Sequence, residues 1–392
     1  MKKVSIFGAT GSIGQSTIKV IQAQPEQYDV QVLTAHSNVE QLAKDARDLK
    51  AKYAVISDEA CHDDLRQALS DTDIKVMAGR DALIEAASIP ADWIMAAIVG
   101  VAGLEPLMPA IAQGTSVAIA NKEPLVSAGP IILEAARQSG ATLLPTDSEH
   151  NAIFQVFDAS QKQSIERIIL TASGGPFRTM PIDQMSDITV EQALAHPTWS
   201  MGDKISIDSA TMMNKALEVI EAQRLFDMPK DQIEVLVHPQ SVVHSMVEYS
   251  DGSILTQMGA SDMCTPIANA LGWPERISSP GEKLDLNKLS RLDFEAVDHD
   301  KFPFVRMAYD CLDEGLGSCL AMNAANEIAV QAFLDRKIAF LDIYSVVKDV
   351  VEQSAQGDIS LNTVEEVTEY DNIVRELTES VITNNHSLTR TA

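Results

Sequence analysis

The chain has 392 residues, 45% hydrophobic and 22% charged, the composition of a folded globular protein with room for two or three domains and not of a disordered or fibrous one. Its 30 Lys+Arg stand against 56 Asp+Glu, a formal charge of -26, and no basic patch opposes that field, so partners among nucleic acids and anionic membrane surfaces are excluded. The four cysteines, at 61, 264, 311 and 319, lack any zinc spacing and are too scattered to staple the chain, so they read as reduced thiols of a cytoplasmic protein.

At the start, Met1-Lys2-Lys3 runs directly into Val4-Ser5-Ile6-Phe7, an apolar run too short for a signal peptide or a membrane span. Short aliphatic runs at 4–7, 30–34, 53–56, 74–77, 93–98, 116–120 and 142–145 then alternate with segments of helical period such as 39–49 and 104–113. This alternation predicts an α/β fold whose first domain, residues 1–147, is a Rossmann-like doubly wound parallel sheet. Hairpin-like strands at 165–172, 234–238, 245–249 and 254–258, with a few helices between, predict an α+β domain over 148–272. A connection rich in Pro and Gly follows at 273–298, and helical periods at 305–312, 321–334, 343–353 and 364–381 predict a small helical domain over 299–392, its last ten residues a loose tail.

Directly after the first strand comes Gly8-Ala9-Thr10-Gly11-Ser12-Ile13-Gly14, leading into a helix over 15–22. Glycines there let the backbone approach a pyrophosphate, and the start of the helix favours negative charge, so the turn predicts a bound dinucleotide. The second strand ends in Thr34-Ala35-His36-Ser37-Asn38 with no carboxylate to hold a ribose 2'-hydroxyl, which points to NADP over NAD.

Further along, Asn121-Lys122-Glu123 and Asp147-Ser148-Glu149-His150 each follow a strand of the sheet, at the edge where ligands bind. On an extended backbone Asp147 and Glu149 would point the same way, a like-charge pair that a hard divalent cation relieves; the alternative is that Asp147 or Ser148 caps a helix over 151–159. The loop Ser173-Gly174-Gly175-Pro176-Phe177 offers a serine and a nest of backbone N–H groups. His196-Pro197-Thr198-Trp199-Ser200-Met201-Gly202, between a helix and the next strand, reads as a lid that lays an indole over a substrate, or as ordinary turn chemistry. Residues 204–218 read as a strand running into a helix, with Asn214, Lys215 and Glu218 on neighbouring faces and Ser209 near the helix start. They form a phosphate cradle with a carboxylate to spare for a metal, or else a plain Lys-Glu pair.

Taken in order, G-A-T-G-S-I-G, N-K-E, L-L-P-T-D-S-E-H-N-A-I-F-Q, S-G-G-P-F, H-P-T-W-S-M-G, D-S-A-T-M-M-N-K and G-W-P-E-R resemble the 1-deoxy-D-xylulose 5-phosphate reductoisomerase family from residue 1 to about 380. The resemblance implies an NADPH-dependent, cytoplasmic homodimer using Mg2+ or Mn2+. Such an enzyme converts a sugar phosphate, 1-deoxy-D-xylulose 5-phosphate, into 2-C-methyl-D-erythritol 4-phosphate for isoprenoids by a retroaldol/aldol rearrangement and a reduction. By position it makes Asp147, Glu149 and Glu218 the metal ligands and gives the substrate phosphate to Ser173, Ser209, Asn214 and Lys215 with His196 alongside. It sets Lys122 and Ser148 on the substrate hydroxyls, Thr10, Gly11, Ser12, Ile13, Asn38, Asn121, Glu123 and Gly202 on the cofactor, and Trp199 and Met201 on the closing loop. The catalytic set is then Lys122, Asp147, Glu149, His196 and Glu218. Departures from the common family pattern are His36 and Ser37 without a neighbouring Lys or Arg, Pro124, Thr198, Ala216 and Cys264. Two rivals stand beside this reading: another NADP-dependent semialdehyde-type oxidoreductase, which needs no carboxylate triad, and an NADP-sensing regulator without chemistry.

Overall fold

The structure, a computed structural model, describes residues 1–199, 201–355 and 361–389. The described residues divide into two compact units: those of 1–124, 132–154 and 262–283 form the first, and those of 125–131, 155–261 and 284–389 the second. Residues 262–283 thus return to the first unit, a return that a linear division at 148 and 273 does not contain.

The first unit is built on strands β1 (Lys2–Phe7), β2 (Tyr28–Ala35), β3 (Tyr53–Ile56), β4 (Lys75–Ala78), β5 (Trp93–Ala96), β6 (Ser116–Ile119) and β7 (Thr142–Pro145). They form one sheet of order β4-β3-β2-β1-β5-β6-β7, parallel at every pair. The chain winds outward from β1 to β4 and then crosses to β5 on the other side of β1, so the order reverses between β1 and β5. In an open α/β sheet that reversal opens a crevice at the carboxyl ends of the two strands. Helices cover the sheet, among them Ser12–Gln22 and, from much later in the chain, Cys264–Gly272. The late helix is fastened by Trp93, fully buried, whose Nε1 donates to Ala270 O at 3.0 Å, and by Lys2 Nζ donating to Leu271 O at 2.7 Å. Cys264, the first residue of that helix, is buried in the same apolar cluster as Ile267 and Leu271, and burial with neighbouring Asp262 pushes its thiol up to about 11. Cys264 is therefore a core side chain here.

The second unit holds a mixed sheet of β8 (Ile165–Ala172), β9 (Ile233–Val237), β10 (Val243–Tyr249), β11 (Ile254–Met258) and β12 (Glu295–Ala296), in the order β11-β10-β8-β9-β12. Only β8 and β9 run parallel, and a parallel pair needs a long crossover. That crossover, residues 173–232, carries helices Val190–Leu194, Asp203–Thr211 and Met213–Phe226. Helices Phe304–Glu314, Leu316–Leu334, Asp342–Ser354 and Val364–Thr389 make a bundle in the same unit.

Three local expectations are corrected. Lys204–Ile207 is helix, not strand, because Ser206 Oγ donates back to Gly202 O at 2.9 Å and Thr211 Oγ1 to Ile207 O at 3.1 Å. These bonds absorb hydroxyls that would otherwise oppose a buried helix. The loop at 196–202 accordingly leads into a helix. The helix after β7 begins at Ser148, three residues early, with Asn151 N donating to Asp147 O at 2.8 Å, so no extended backbone aligns Asp147 with Glu149. The last helix runs through 383–389, and residues 390–392 of the expected tail lie outside the described residues, as does Ser200 of the lid motif. All four cysteines are free thiols, and among the described residues no helix is long and apolar enough to cross a membrane.

Candidate active site

In the first unit the turn after β1 sits at the switch point. Gly8 has φ +90°, and a Cβ there would stand 2.5 Å from Ala97 O, just past β5; a Cβ on Gly14 would collide with Gly8 O and Ala9 O. Both positions need glycine. The turn is pinned to β2 by Gly8 N donating to Thr34 Oγ1 at 2.9 Å and Ala9 N to Thr34 O at 2.7 Å. Thr10 and Gly11 form its tip, and Ser12 and Ile13 open the helix Ser12–Gln22, whose first turn holds no acidic residue. A first helical turn has N–H groups with no partner inside the helix, and the dipole adds positive potential, so this surface suits a pyrophosphate.

Beyond β2, His36 Nδ1 lies 2.9 Å from Ser57 Oγ, and Asn38 caps the helix Val39–Asp48 by accepting from Gln41 N at 3.1 Å. Asn38 therefore has a local structural duty whatever else it does. Past β6, the Asn121 amide donates to Ile98 O, bringing the ends of β5 and β6 together, while Lys122 and Glu123 are buried at the start of the helix Glu123–Ser139. Lys122 Nζ stands 2.5 Å from Asp147 Oδ2. Ser148 Oγ donates to Glu149 Oε2 at 2.5 Å, and His150, fully buried, has Nδ1 3.9 Å from Asp147 Oδ2. A buried ammonium, two carboxylates and a hydroxyl thus gather at the carboxyl ends of β6 and β7.

The second unit gathers a different set, all of it in the crossover after β8. Gly174 and Gly175 have φ +82° and +67°, and a Cβ on Gly175 would stand 2.6 Å from Ser209 O, so the turn after β8 lies directly against the end of the helix Asp203–Thr211. Ser173 Oγ accepts from Gly175 N at 3.2 Å and lies 3.0 Å from His196 Nε2. His196 Nδ1 accepts from Thr198 N at 3.3 Å and Trp199 N at 3.0 Å. An acceptor Nδ1 assigns the proton of neutral imidazole to Nε2, which then donates to Ser173. Burial lowers the His196 pKa and keeps the ring in that neutral form.

Met212 takes the left-handed conformation, φ +63°, and turns the chain sharply from one helix into Met213–Phe226. On that second helix Glu218, fully buried, accepts from Asn214 Nδ2 and pairs with Lys215 Nζ, both at 2.5 Å. Gly202 precedes the helix Asp203–Thr211 as its exposed N-cap, and Met201 is half-buried beside it. The Trp199 ring lies 6.2 Å from that of His244, a buried residue of β10 that sequence reasoning did not single out. Its only sequence signal is a histidine inside an apolar strand.

A parallel sheet with a glycine-rich turn at its switch point, followed by a unit with a serine, lysine and asparagine cradle beside a buried carboxylate, defines a dinucleotide-dependent enzyme of phosphorylated substrates. Comparison with known proteins narrows the class. Models of the 1-deoxy-D-xylulose 5-phosphate reductoisomerase family match residues 4–129, its C-terminal domain model residues 143–226, and a further DXP reductoisomerase C-terminal domain model residues 258–377. The 1-deoxy-D-xylulose 5-phosphate reductoisomerase of Rhodospirillum centenum is 53% identical over 97% of this chain and 94% of its own length. That of Zymomonas mobilis is 52% identical over 95% and 96%. A solved structure of the Zymomonas mobilis enzyme in complex with NADPH has a TM-score of 0.92 at 49% identity, covering 97% of this chain and 99% of that one. A second, of DOX-P reductoisomerase with NADPH, fosmidomycin and magnesium, has a TM-score of 0.93 at 43% identity, covering 98% of each. The chain belongs to the 1-deoxy-D-xylulose 5-phosphate reductoisomerase family.

Proposed function

We propose that the protein converts 1-deoxy-D-xylulose 5-phosphate into 2-C-methyl-D-erythritol 4-phosphate, using NADPH and a divalent cation, Mg2+ or Mn2+. The observation that carries this reading is identity above half over nearly the whole chain. Neither a semialdehyde-type oxidoreductase nor an NADP-sensing regulator has comparable support.

The residues fit the groups that the reaction needs. Asp147, Glu149 and Glu218 are hard oxygen donors of the kind that Mg2+ and Mn2+ prefer, and we assign the cation to them. Asp147 and Glu218 each pair with a lysine of their own unit, Lys122 and Lys215, so an entering cation would share these carboxylates with, or displace, an ammonium. When bound, the metal supplies Lewis-acid polarisation of the substrate's ketone and neighbouring hydroxyl oxygens. The Gly8–Gly14 turn fits a dinucleotide, with Thr10, Gly11, Ser12 and Ile13 on the pyrophosphate side and Asn38, Asn121, Glu123 and Gly202 as further contacts, and NADPH supplies the hydride.

Lys122 and Ser148 orient the substrate hydroxyls. Ser173, Ser209, Asn214 and Lys215, with the neutral His196, hold the phosphate, whose binding energy positions carbons several bonds away. Trp199 and the loop around it exclude water during the reduction. We further propose a cytoplasmic homodimer. In the purified protein, NADPH consumption should require both the sugar phosphate and a divalent cation, with the branched polyol phosphate identified by mass spectrometry. NADPH oxidation indifferent to the sugar phosphate would overturn the reading.

A further inference from the structure

Asp208 is a carboxylate that the proposed chemistry does not use, yet it is only 2% exposed. Burying a charge is costly unless its oxygens find partners. It finds them from two directions inside the second unit. Lys204, one turn earlier on the same helix, places Nζ 2.8 Å from Oδ2. Asn326, fully buried on the helix Leu316–Leu334 and 118 residues away in sequence, donates from Nδ2 to Oδ1 at 2.8 Å. The bundle side is itself braced, with Asn323 Nδ2 donating to Glu327 Oε1 at 3.2 Å and Arg375 bridging Glu327 and Asp371 at 2.5 Å each.

The helix so held has a ligand-facing part at each end. Its N-terminus continues from the loop that carries His196 and Trp199. At its C-terminus Ser209, the residue after Asp208, presses its carbonyl against Gly175. An apolar pair of the same shape would pack as well, but it would leave the helix free to rotate about its axis; a directional amide-to-carboxylate bond fixes that rotation.

We infer that Asp208 and Asn326, with Lys204, are positioning residues through which the C-terminal bundle sets the affinity of the phosphate cradle. The inference rests on the proposed assignment of the substrate phosphate to Ser173, Ser209, Asn214 and Lys215. None of the three is among the residues assigned to substrate or cofactor. They act by fixing where Ser209 meets the Ser173–Gly175 turn and where the lid loop is rooted.

The test uses the full chain with NADPH bound and reads three quantities: KM for the sugar phosphate, the inhibition constant of inorganic phosphate, and KM for NADPH. Asn326→Leu should raise the first two together by about tenfold, leaving kcat within about threefold and the NADPH value unchanged. The exchange Asp208→Asn with Asn326→Asp, which reverses the direction of the bond, should recover most of the phosphate affinity. Lys204→Met, at a partly exposed position, provides a variant that folds if Asn326→Leu does not, and should weaken phosphate binding a few-fold. Variants that lower thermal stability and kcat while leaving both phosphate readouts in place would reduce the network to packing and overturn the inference. Ser209→Ala separates the two levels: if it leaves phosphate affinity untouched, the site assignment itself fails, and if it weakens phosphate while the Asn326 and Lys204 variants do not, only the positioning role fails.

Discussion

The turn after β1 offers a ligand mostly backbone groups, exposed by Gly8, Gly11 and Gly14, whereas the helical crossover of the second unit offers side chains. The two depend on different things. A backbone site needs the absence of Cβ atoms and a strand order that opens a crevice, and both are properties of topology. A side-chain site needs each group held by a partner: His196 by two backbone N–H groups and Glu218 by Asn214 and Lys215, with Asp208 and Asn326 fixing the helix between them. Damage to the glycine-rich turn should therefore appear as lost cofactor affinity, and damage to the side-chain sites, Asp147 of the first unit among them, as lost substrate affinity or turnover.

The largest expected effect comes from Asp147→Asn, which removes a proposed metal ligand while leaving the Gly8–Gly14 turn alone. Turnover should fall by about a thousandfold or more, with NADPH affinity, followed by its fluorescence, within about threefold of the parent. Unchanged turnover would take Asp147 out of the metal site. Glu218→Gln should lower turnover comparably, and because it leaves Lys215 buried without its carboxylate it should also cost about 3–5 kcal/mol of stability, read by denaturant unfolding.

Next in size is Gly14→Ala. Its new methyl group would meet the carbonyls of Gly8 and Ala9, so the turn must shift. NADPH affinity should drop about tenfold or more by calorimetric titration, with about 2–4 kcal/mol of stability lost, while inorganic phosphate binding stays as it was. Equal losses in both affinities would break the contrast between the turn and the cradle.

The smallest effect is a pH dependence. Burial depresses the His196 pKa below the ordinary 6.5, so as pH falls through the ordinary value the unfolded chain takes up a proton before the folded one does. Stability from this residue is present above that range and declines as pH falls, because a protonated Nδ1 can no longer accept from Thr198 and Trp199. Thermal melts between neutral and mildly acidic pH should show the decline, and His196→Gln should flatten it.

The contrast also explains what could be read from sequence. The inner strands β1, β2, β3, β5 and β6 are mostly buried and read as aliphatic runs; the bounds of β3 and β7 fall where the runs begin and end. The turn at Gly8–Gly14 follows from the strand before it and the helix after it. In the crossover, by contrast, Ile205-Ser206-Ile207 alternates like a strand, and only the back-bonds of Ser206 and Thr211 show why it is helical. The helix start after β7 is legible only as the alternative in which Asp147 or Ser148 caps a helix, and the bond from Asn151 N to Asp147 O decides for it. Pairings over long separations, such as Asp208 with Asn326 or Trp93 with Ala270, leave no local pattern at all. His244 is hidden for the same reason, since its neighbour Trp199 lies on another element.

The most direct single test of the account is to titrate Mg2+ into the chelated, NADPH-bound protein with the sugar phosphate present, following NADPH binding and NADPH oxidation side by side. The account predicts full NADPH affinity throughout and turnover that appears only with the cation. Turnover that survives the chelator, or NADPH affinity that falls together with activity, would contradict it.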